Sequence, residues 1–167
     1  MYISCSSMSK VNFYEITGPE YLLEMKERLY GEYNLVWIKQ CRSIIEEIIT
    51  ERPTILDIGC GVGYLYKYFK DLRPEYYGVD GDCRLLDIGR EYYKSNSNVN
   101  FLEHDITESP IPVDYCHNAD IVICSAIIEH LPGLFPALDY IVQPASQCFY
   151  LRTFTGESSQ IYNVQSP

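Results

Sequence analysis

Ile55-Leu56-Asp57-Ile58-Gly59-Cys60-Gly61-Val62-Gly63 is the stretch that decides how this chain folds. An apolar, β-branched run leads into three glycines at alternate positions, and a helical pattern begins directly after them. Glycine permits backbone angles closed to other residues and lets a ligand approach the main chain closely. A glycine triplet alone is a weak signal, and its place between a strand and a helix gives it weight. The loop is Gly-x-Gly-x-Gly, one residue tighter than the Gly-x-Gly-x-x-Gly of a dinucleotide site, and Asp57 stands two residues before it. A carboxylate there repels a diphosphate and attracts an ammonium or sulfonium group.

Working outward, short β-branched runs alternate with helical segments. Strands are expected at Thr54–Ile58, 76–79, 99–102, 119–124 and 148–153, with helices at 64–72, 85–94 and 131–140. The run Ile121-Val122-Ile123 is continuously apolar, as in a strand covered on both faces. Strand–helix alternation of this kind implies right-handed crossovers, and so an α/β, doubly wound, mainly parallel sheet with helices on both faces. Ligands of such sheets bind at the carboxyl ends of the strands. Before the first strand, two amphipathic helices are expected, at Pro19–Tyr30 with Leu22, Met25 and Leu29 in register, and at 35–50 with Ile38, Cys41, Ile45 and Ile48 on one stripe. The chain divides into an N-terminal helical extension or lid (1–52), an α/β core (53–154) and a polar tail (155–167), all within one compact domain.

The 167 residues are 47% hydrophobic and 22% charged, enough for a packed core. The net charge of −10 repels phosphate backbones and anionic lipid, so nucleic acid and membrane surfaces are poor partners. No apolar run is long enough to span a bilayer, and the first residues lack the pattern of an export signal. Seven cysteines occur with no Cys-x-x-Cys pair, several inside apolar runs. They read as reduced thiols of a cytoplasmic protein rather than a disulfide frame or a zinc site, and no metal is expected.

The segment from Asp57 to Gly63 resembles the first motif of the class I, Rossmann-like S-adenosylmethionine-dependent methyltransferases, without a departure. The likeness implies S-adenosyl-L-methionine as cofactor, held at Asp57, Gly59, Cys60, Gly61 and Gly63. It also implies an acid at the end of the second strand on the ribose hydroxyls. Tyr77-Gly78-Val79-Asp80-Gly81 supplies Asp80 with Gly81 beside it, followed by Asp82 and Cys83 where the family flanks the adenine. After the third strand, Asp105 is the expected acceptor for the adenine amino group and Ile106 the apolar contact with its ring; a helix-capping role for Asp105 competes with this. After the fourth, Ser125 and Ala126 would bring main chain to the methionine portion, with Asp120 structural. Glu129-His130-Leu131 resembles the Glu-His-Leu of small-molecule members.

Methyl transfer asks the protein mainly for positioning and, for a protonated nucleophile, for a base. His130 and Glu129 are the candidate catalytic residues, with a helix-starting role as the alternative for His130; His104 and His117 are read as surface residues. The fourth strand does not end in the Asn/Asp-Pro-Pro-aromatic motif, and no Pro-Cys pair is present. With the acidic charge, both absences point away from nucleic acid and toward a small molecule, and the expected reaction is methyl transfer to an oxygen or nitrogen atom of a small-molecule methyl acceptor. Tyr14, Tyr21, Tyr30 and Tyr33 are candidates for a lid, although each taken alone reads as core or surface.

The resemblance covers roughly 35–154, whereas complete members of the family continue through two further strands. Here one short strand around Ile161-Tyr162 is expected in place of the C-terminal hairpin, leaving the fifth strand as an unprotected edge. Three readings stay open: a fragment, a reduced form, or a chain whose edge is covered by a homodimer mate or another partner chain. A cofactor-binding module without turnover is the rival reading of function. A nicotinamide oxidoreductase is disfavoured by Asp57 and the compressed loop.

Overall fold

The computed structural model of the chain describes residues 18–32, 35–48, 52–116, 118–131 and 133–153, together with the backbone of 161–163. Among the described residues two helices come first, α1 (Pro19–Tyr30) and α2 (Val36–Ile48). The core then runs β1 (Thr54–Ile58), β2 (Glu75–Asp80), α3 (Cys83–Tyr92), β3 (Val99–Glu103), β4 (Ala119–Ser125), α4 (Ala137–Val142), β5 (Ala145–Arg152) and β6 (Ile161–Asn163). The sheet order is β3-β2-β1-β4-β5-β6. The first five strands are parallel, and strand order reverses between β1 and β4, which places a crevice at their carboxyl ends.

Each face of the sheet is covered, as the apolar run Ile121-Val122-Ile123 of β4 requires. On one face Ile55, Ile121, Ile123 and Tyr150 pack against Met25 and Leu29 of α1 and Ile38, Cys41 and Ile45 of α2. On the other, Leu56, Ile58, Val122 and Phe149 pack against Ile106, Ile111 and Ile141. The two N-terminal helices thus share the core of the sheet. Fully burying one such aliphatic side chain contributes about 1.5–3 kcal/mol. Asp120 joins strand starts, accepting from the Thr54 amide at 2.8 Å and from Gln147 Nε2 at 2.8 Å.

Three expectations are corrected. Segment 64–72 forms two 3-10 turns, Tyr64–Tyr68 and Lys70–Leu72, rather than an α-helix. Its tyrosines and Phe69 are weak helix formers, and Leu65, Tyr66 and Phe69 are buried against the sheet. The helix expected at 131–140 is displaced to Ala137–Val142, preceded by a 3-10 turn at Ile128–His130. Pro136 lacks the amide an interior position needs and stands instead at the helix N-cap. Finally, the edge of β5 is not bare along its length. The chain's own β6 pairs antiparallel with Tyr150, Leu151 and Arg152, as a single short strand.

Among the described residues Cys41, Cys60, Cys116 and Cys124 are buried free thiols, Cys148 is half-buried and Cys83 exposed. No helix of the described residues is long and apolar enough to cross a membrane.

Candidate active site

The carboxyl ends of β1 to β4 surround a pocket. Its floor is Ile58, Gly59 and Gly61, and one wall is Val79, Asp80, Gly81 and Asp82 with Leu85 of α3. The segment after β3 adds His104, Asp105, Ile106 and Thr107; that after β4 adds Ala126, Ile127, His130 and Leu131. Helix α1 lies across the opening with Tyr21 and Met25.

The floor consists largely of main chain. Gly59 and Gly61 have φ of 73° and 55°, the left-handed region that side chains disfavour. A β-carbon on Gly59 would fall 1.9 Å from Ile127 Cδ1, and one on Gly61 2.7 Å from Met25 Cε. The amides of Gly59 and Cys60 both donate to the Val79 carbonyl, at 2.7 and 3.1 Å, and hold the loop against the end of β2.

Asp80 is tied into that junction. Its Oδ2 accepts from the Gly61 amide and its Oδ1 from the Asp82 amide, each at 2.8 Å. Burial raises the pKa of this carboxyl, and the main-chain hydrogen bonds oppose the shift. A carboxylate has about four acceptor sites, so the group keeps accepting capacity beyond the amides of Gly61, Gly81 and Asp82. Asp82, itself buried, caps α3 through the Arg84 amide at 3.0 Å and pairs with the Arg84 guanidinium at 2.6 Å. Asp105 Oδ1 accepts from the amide and the hydroxyl of Thr107, at 2.8 and 2.7 Å; it closes a turn, and among the described residues no helix follows for it to cap as the competing reading expected.

Seven of the twelve site residues expected from the sequence line this pocket: Gly59, Gly61, Asp80, Gly81, Asp105, Ile106 and His130. The other five lie outside its lining. Asp57 is buried beneath the loop, where its carboxyl accepts from the Tyr76 hydroxyl. The Cys60 thiol points into the core, 2.7 Å from where a β-carbon on Gly78 would stand. Gly63 packs under Phe101, 2.7 Å from the site of a β-carbon, and its carbonyl accepts from Tyr93. Ser125 ends β4 beside Arg152, and Glu129 is exposed and accepts from the Thr153 hydroxyl at 2.9 Å.

His104, Ile127 and Met25 are among the lining residues not expected there. His104, read as surface, is half-buried in the pocket wall, because its amide donates to the Asp80 carbonyl at 2.9 Å and extends the β2–β3 pairing by one rung. Ile127 and Met25 come from distant elements, and only tertiary packing brings them over the glycines. Of the four tyrosines considered for a lid, Tyr21 reaches the pocket, Tyr30 is 63% exposed, and Tyr14 and Tyr33 lie outside the described residues, as does His117.

A glycine loop leaving the first strand of a doubly wound sheet, with an acid at the end of the second, defines a nucleoside-cofactor-binding α/β domain. The chain belongs to the methyltransferase domain family, whose model matches residues 56–144. It is 30% identical over 105 residues to the ribosomal protein L11 methyltransferase of Caldanaerobacter subterraneus, covering 60% of this chain and 33% of that protein. It is 29% identical over 119 residues to the malonyl-(acyl-carrier protein) O-methyltransferase of Acetivibrio thermocellus, covering 68% of this chain and 40% of that protein. The chain therefore spans less than half the length of these curated relatives. Its fold is similar to that of magnesium protoporphyrin IX methyltransferase from Synechocystis, solved with bound SAM, at a TM-score of 0.59 and 16% identity over 86% of this chain and 74% of that one.

S-adenosylmethionine is the cofactor of the family, and the residues present fit it. A side chain on Gly61 would fill the cradle, the floor is uncharged main chain, and a carboxylate with spare accepting capacity stands at the end of β2.

Proposed function

We propose that this chain is an S-adenosylmethionine-dependent methyltransferase acting on an oxygen or nitrogen atom of a small-molecule acceptor. The observation that carries the reading is Asp80, held by the amides of Gly61 and Asp82 beside a floor of bare glycine backbone. In this reading Asp80 accepts from the two ribose hydroxyls, with Gly81 giving room beside it. Asp105 and Ile106 meet the adenine, and main chain at Gly59, Gly61 and Ala126 meets the methionine portion. Asp57, Cys60, Gly63 and Ser125 support the site from behind the lining.

When bound, the cofactor supplies an electrophilic methyl carbon on a sulfonium. The chain's own work is to hold the acceptor atom in line at about 3 Å and to take its proton. His130, at the rim of the pocket, is the proposed proton acceptor through a ring nitrogen. Glu129, bonded to Thr153, orients the rim. A net charge of −10 favours a small acceptor over a nucleic acid, and the likeness to a malonyl-(acyl-carrier protein) O-methyltransferase is in keeping with an oxygen acceptor. Among the described residues six free thiols, four of them buried, support a reducing, cytoplasmic setting.

The test is methyl transfer from S-adenosylmethionine labelled at the methyl carbon to a panel of phenols, amines and carboxylic acids. Acceptor-dependent release of S-adenosylhomocysteine, lost in Asp80→Ala, is expected. Cofactor binding without transfer to any of them would leave the non-catalytic module as the better account.

A further inference from the structure

We propose that His104 is a specificity-determining residue for the cofactor, forming with Asp105 a pair of acceptors that read both N–H bonds of the adenine amino group. The inference rests on the methyltransferase reading above, in which Asp105 meets the adenine, and adds a contact which that reading does not contain. His104 and Asp105 are consecutive in the segment after β3, and both line the pocket. The His104 amide donates to the Asp80 carbonyl at 2.9 Å, so its backbone is fixed to the end of β2, beside the proposed ribose acceptor. Its Nε2 stands 2.8 Å from the Ser109 carbonyl. A carbonyl only accepts, so Nε2 carries the proton, and in the neutral ring Nδ1 is left with its lone pair.

The neighbouring carboxylate is held in a similar way. The amide and the hydroxyl of Thr107 both donate to Asp105 Oδ1, at 2.8 and 2.7 Å, which leaves Oδ2 as the second acceptor. Among the described residues neither His104 Nδ1 nor Asp105 Oδ2 has a hydrogen-bond partner. Two half-buried side chains in one wall thus offer one acceptor each, and each is steadied by the hydrogen bonds at its other polar atom. This arrangement suits a ligand group with two N–H bonds, as an exocyclic amino group has. A carbonyl at the same place on the ring presents only lone pairs, and would leave both acceptors unpaired.

The test compares S-adenosylhomocysteine with two analogues altered only at the adenine amino group. The inosine analogue carries oxygen there and the unsubstituted purine analogue carries hydrogen. Affinities are measured by calorimetry in the parent, in His104→Ala and in His104→Gln, whose amide offers both a donor for Ser109 and an acceptor for the ligand. The parent is expected to bind S-adenosylhomocysteine about 100-fold more tightly than either analogue. In His104→Ala that ratio falls to about tenfold, and His104→Gln restores most of it. A ratio unmoved by His104→Ala would overturn the proposal, as would an equal loss for all three ligands, which marks a purely structural role. Nitrogen NMR of the imidazoles in the labelled parent gives a reading independent of how the variants fold. His104 is expected as the Nε2–H tautomer, with an Nδ1 signal that shifts on addition of S-adenosylhomocysteine and not of the purine analogue. The Nδ1–H tautomer, or an Nδ1 signal indifferent to both ligands, contradicts the assignment. A parent that binds none of the three ligands contradicts the methyltransferase reading itself, whereas binding with an unmoved ratio contradicts the role of His104 alone.

Discussion

The main-chain amide of Gly61 donates to Asp80 Oδ2 at 2.8 Å, joining the loop after the first strand to the end of the second. One bond thereby fixes two parts of the site at once. It sets the glycine floor against the wall, and it holds the carboxylate in one orientation. The Asp82 amide fixes the other oxygen in the same way, so the acid is positioned before any ligand arrives.

Replacing Asp80 with alanine removes both these bonds and the proposed ribose contacts. Affinity for S-adenosylhomocysteine is expected to fall by about 1–3 kcal/mol, the range for hydrogen bonds to a charged group. Asp80→Asn, which keeps one acceptor, should lose less. Calorimetric affinities in the alanine variant equal to those of the parent would contradict the assignment.

Gly61 combines a φ of 55° with a β-carbon site directed at Met25 Cε. The methionine tip is flexible and yields easily, so backbone strain and lost pocket space decide the outcome. A non-glycine residue in this conformation costs about 1–2 kcal/mol. Gly61→Val is therefore expected to fold with a lowered melting temperature and to lose cofactor binding. A variant that folds and binds normally would refute the floor as a ligand cradle.

Asp57 is buried, and burial pushes its carboxyl up to about 7 against the hydrogen bond from Tyr76, with the negative charge of Asp80 adding to the rise. An unfolded chain binds that proton near pH 3.9. Between the two values the folded state holds more proton than the unfolded one, so stability from this group is full below about pH 4 and is lost as pH rises toward 7. The melting temperature of Asp57→Asn should therefore fall less than that of the parent between about pH 5 and pH 8. Parallel pH profiles for the two proteins would show that Asp57 does not titrate in this window.

Met25 couples α1 to the loop from a position 5% exposed. Its replacement by alanine is expected to cost about 2 kcal/mol in chemical denaturation, the low end for such truncations, because one side of the side chain faces the pocket rather than packed core. A loss near zero would mean that α1 does not pack on the loop in solution.

Much of this architecture is written locally. Ile121 to Ile123 reads as a buried parallel strand because its apolar run is short and unbroken, Ile55 to Ile58 because only Asp57 interrupts it, and the glycines after Ile58 mark the floor. Asp80 and Asp105 are legible because one ends β2 and the other stands two residues past β3. What is not legible depends on contacts between distant segments. Nothing near Ile127 announces that its tip covers Gly59, and nothing near Tyr21 or Met25 ties α1 to the pocket. His104 reaches the wall through one extra rung of main-chain pairing, a feature without a side-chain signal. The turns at Tyr64–Tyr68 and Lys70–Leu72 show the same limit, since helical spacing there is outweighed by aromatic rings packing on the sheet.

The most direct measurement is calorimetric titration of the purified chain with S-adenosylhomocysteine, with NAD as the comparison ligand. The account predicts saturable binding of S-adenosylhomocysteine at about one site per chain with micromolar affinity, a free energy of roughly −8 kcal/mol, and no binding of NAD. A folded chain that ignores S-adenosylhomocysteine, or that prefers NAD, would contradict it.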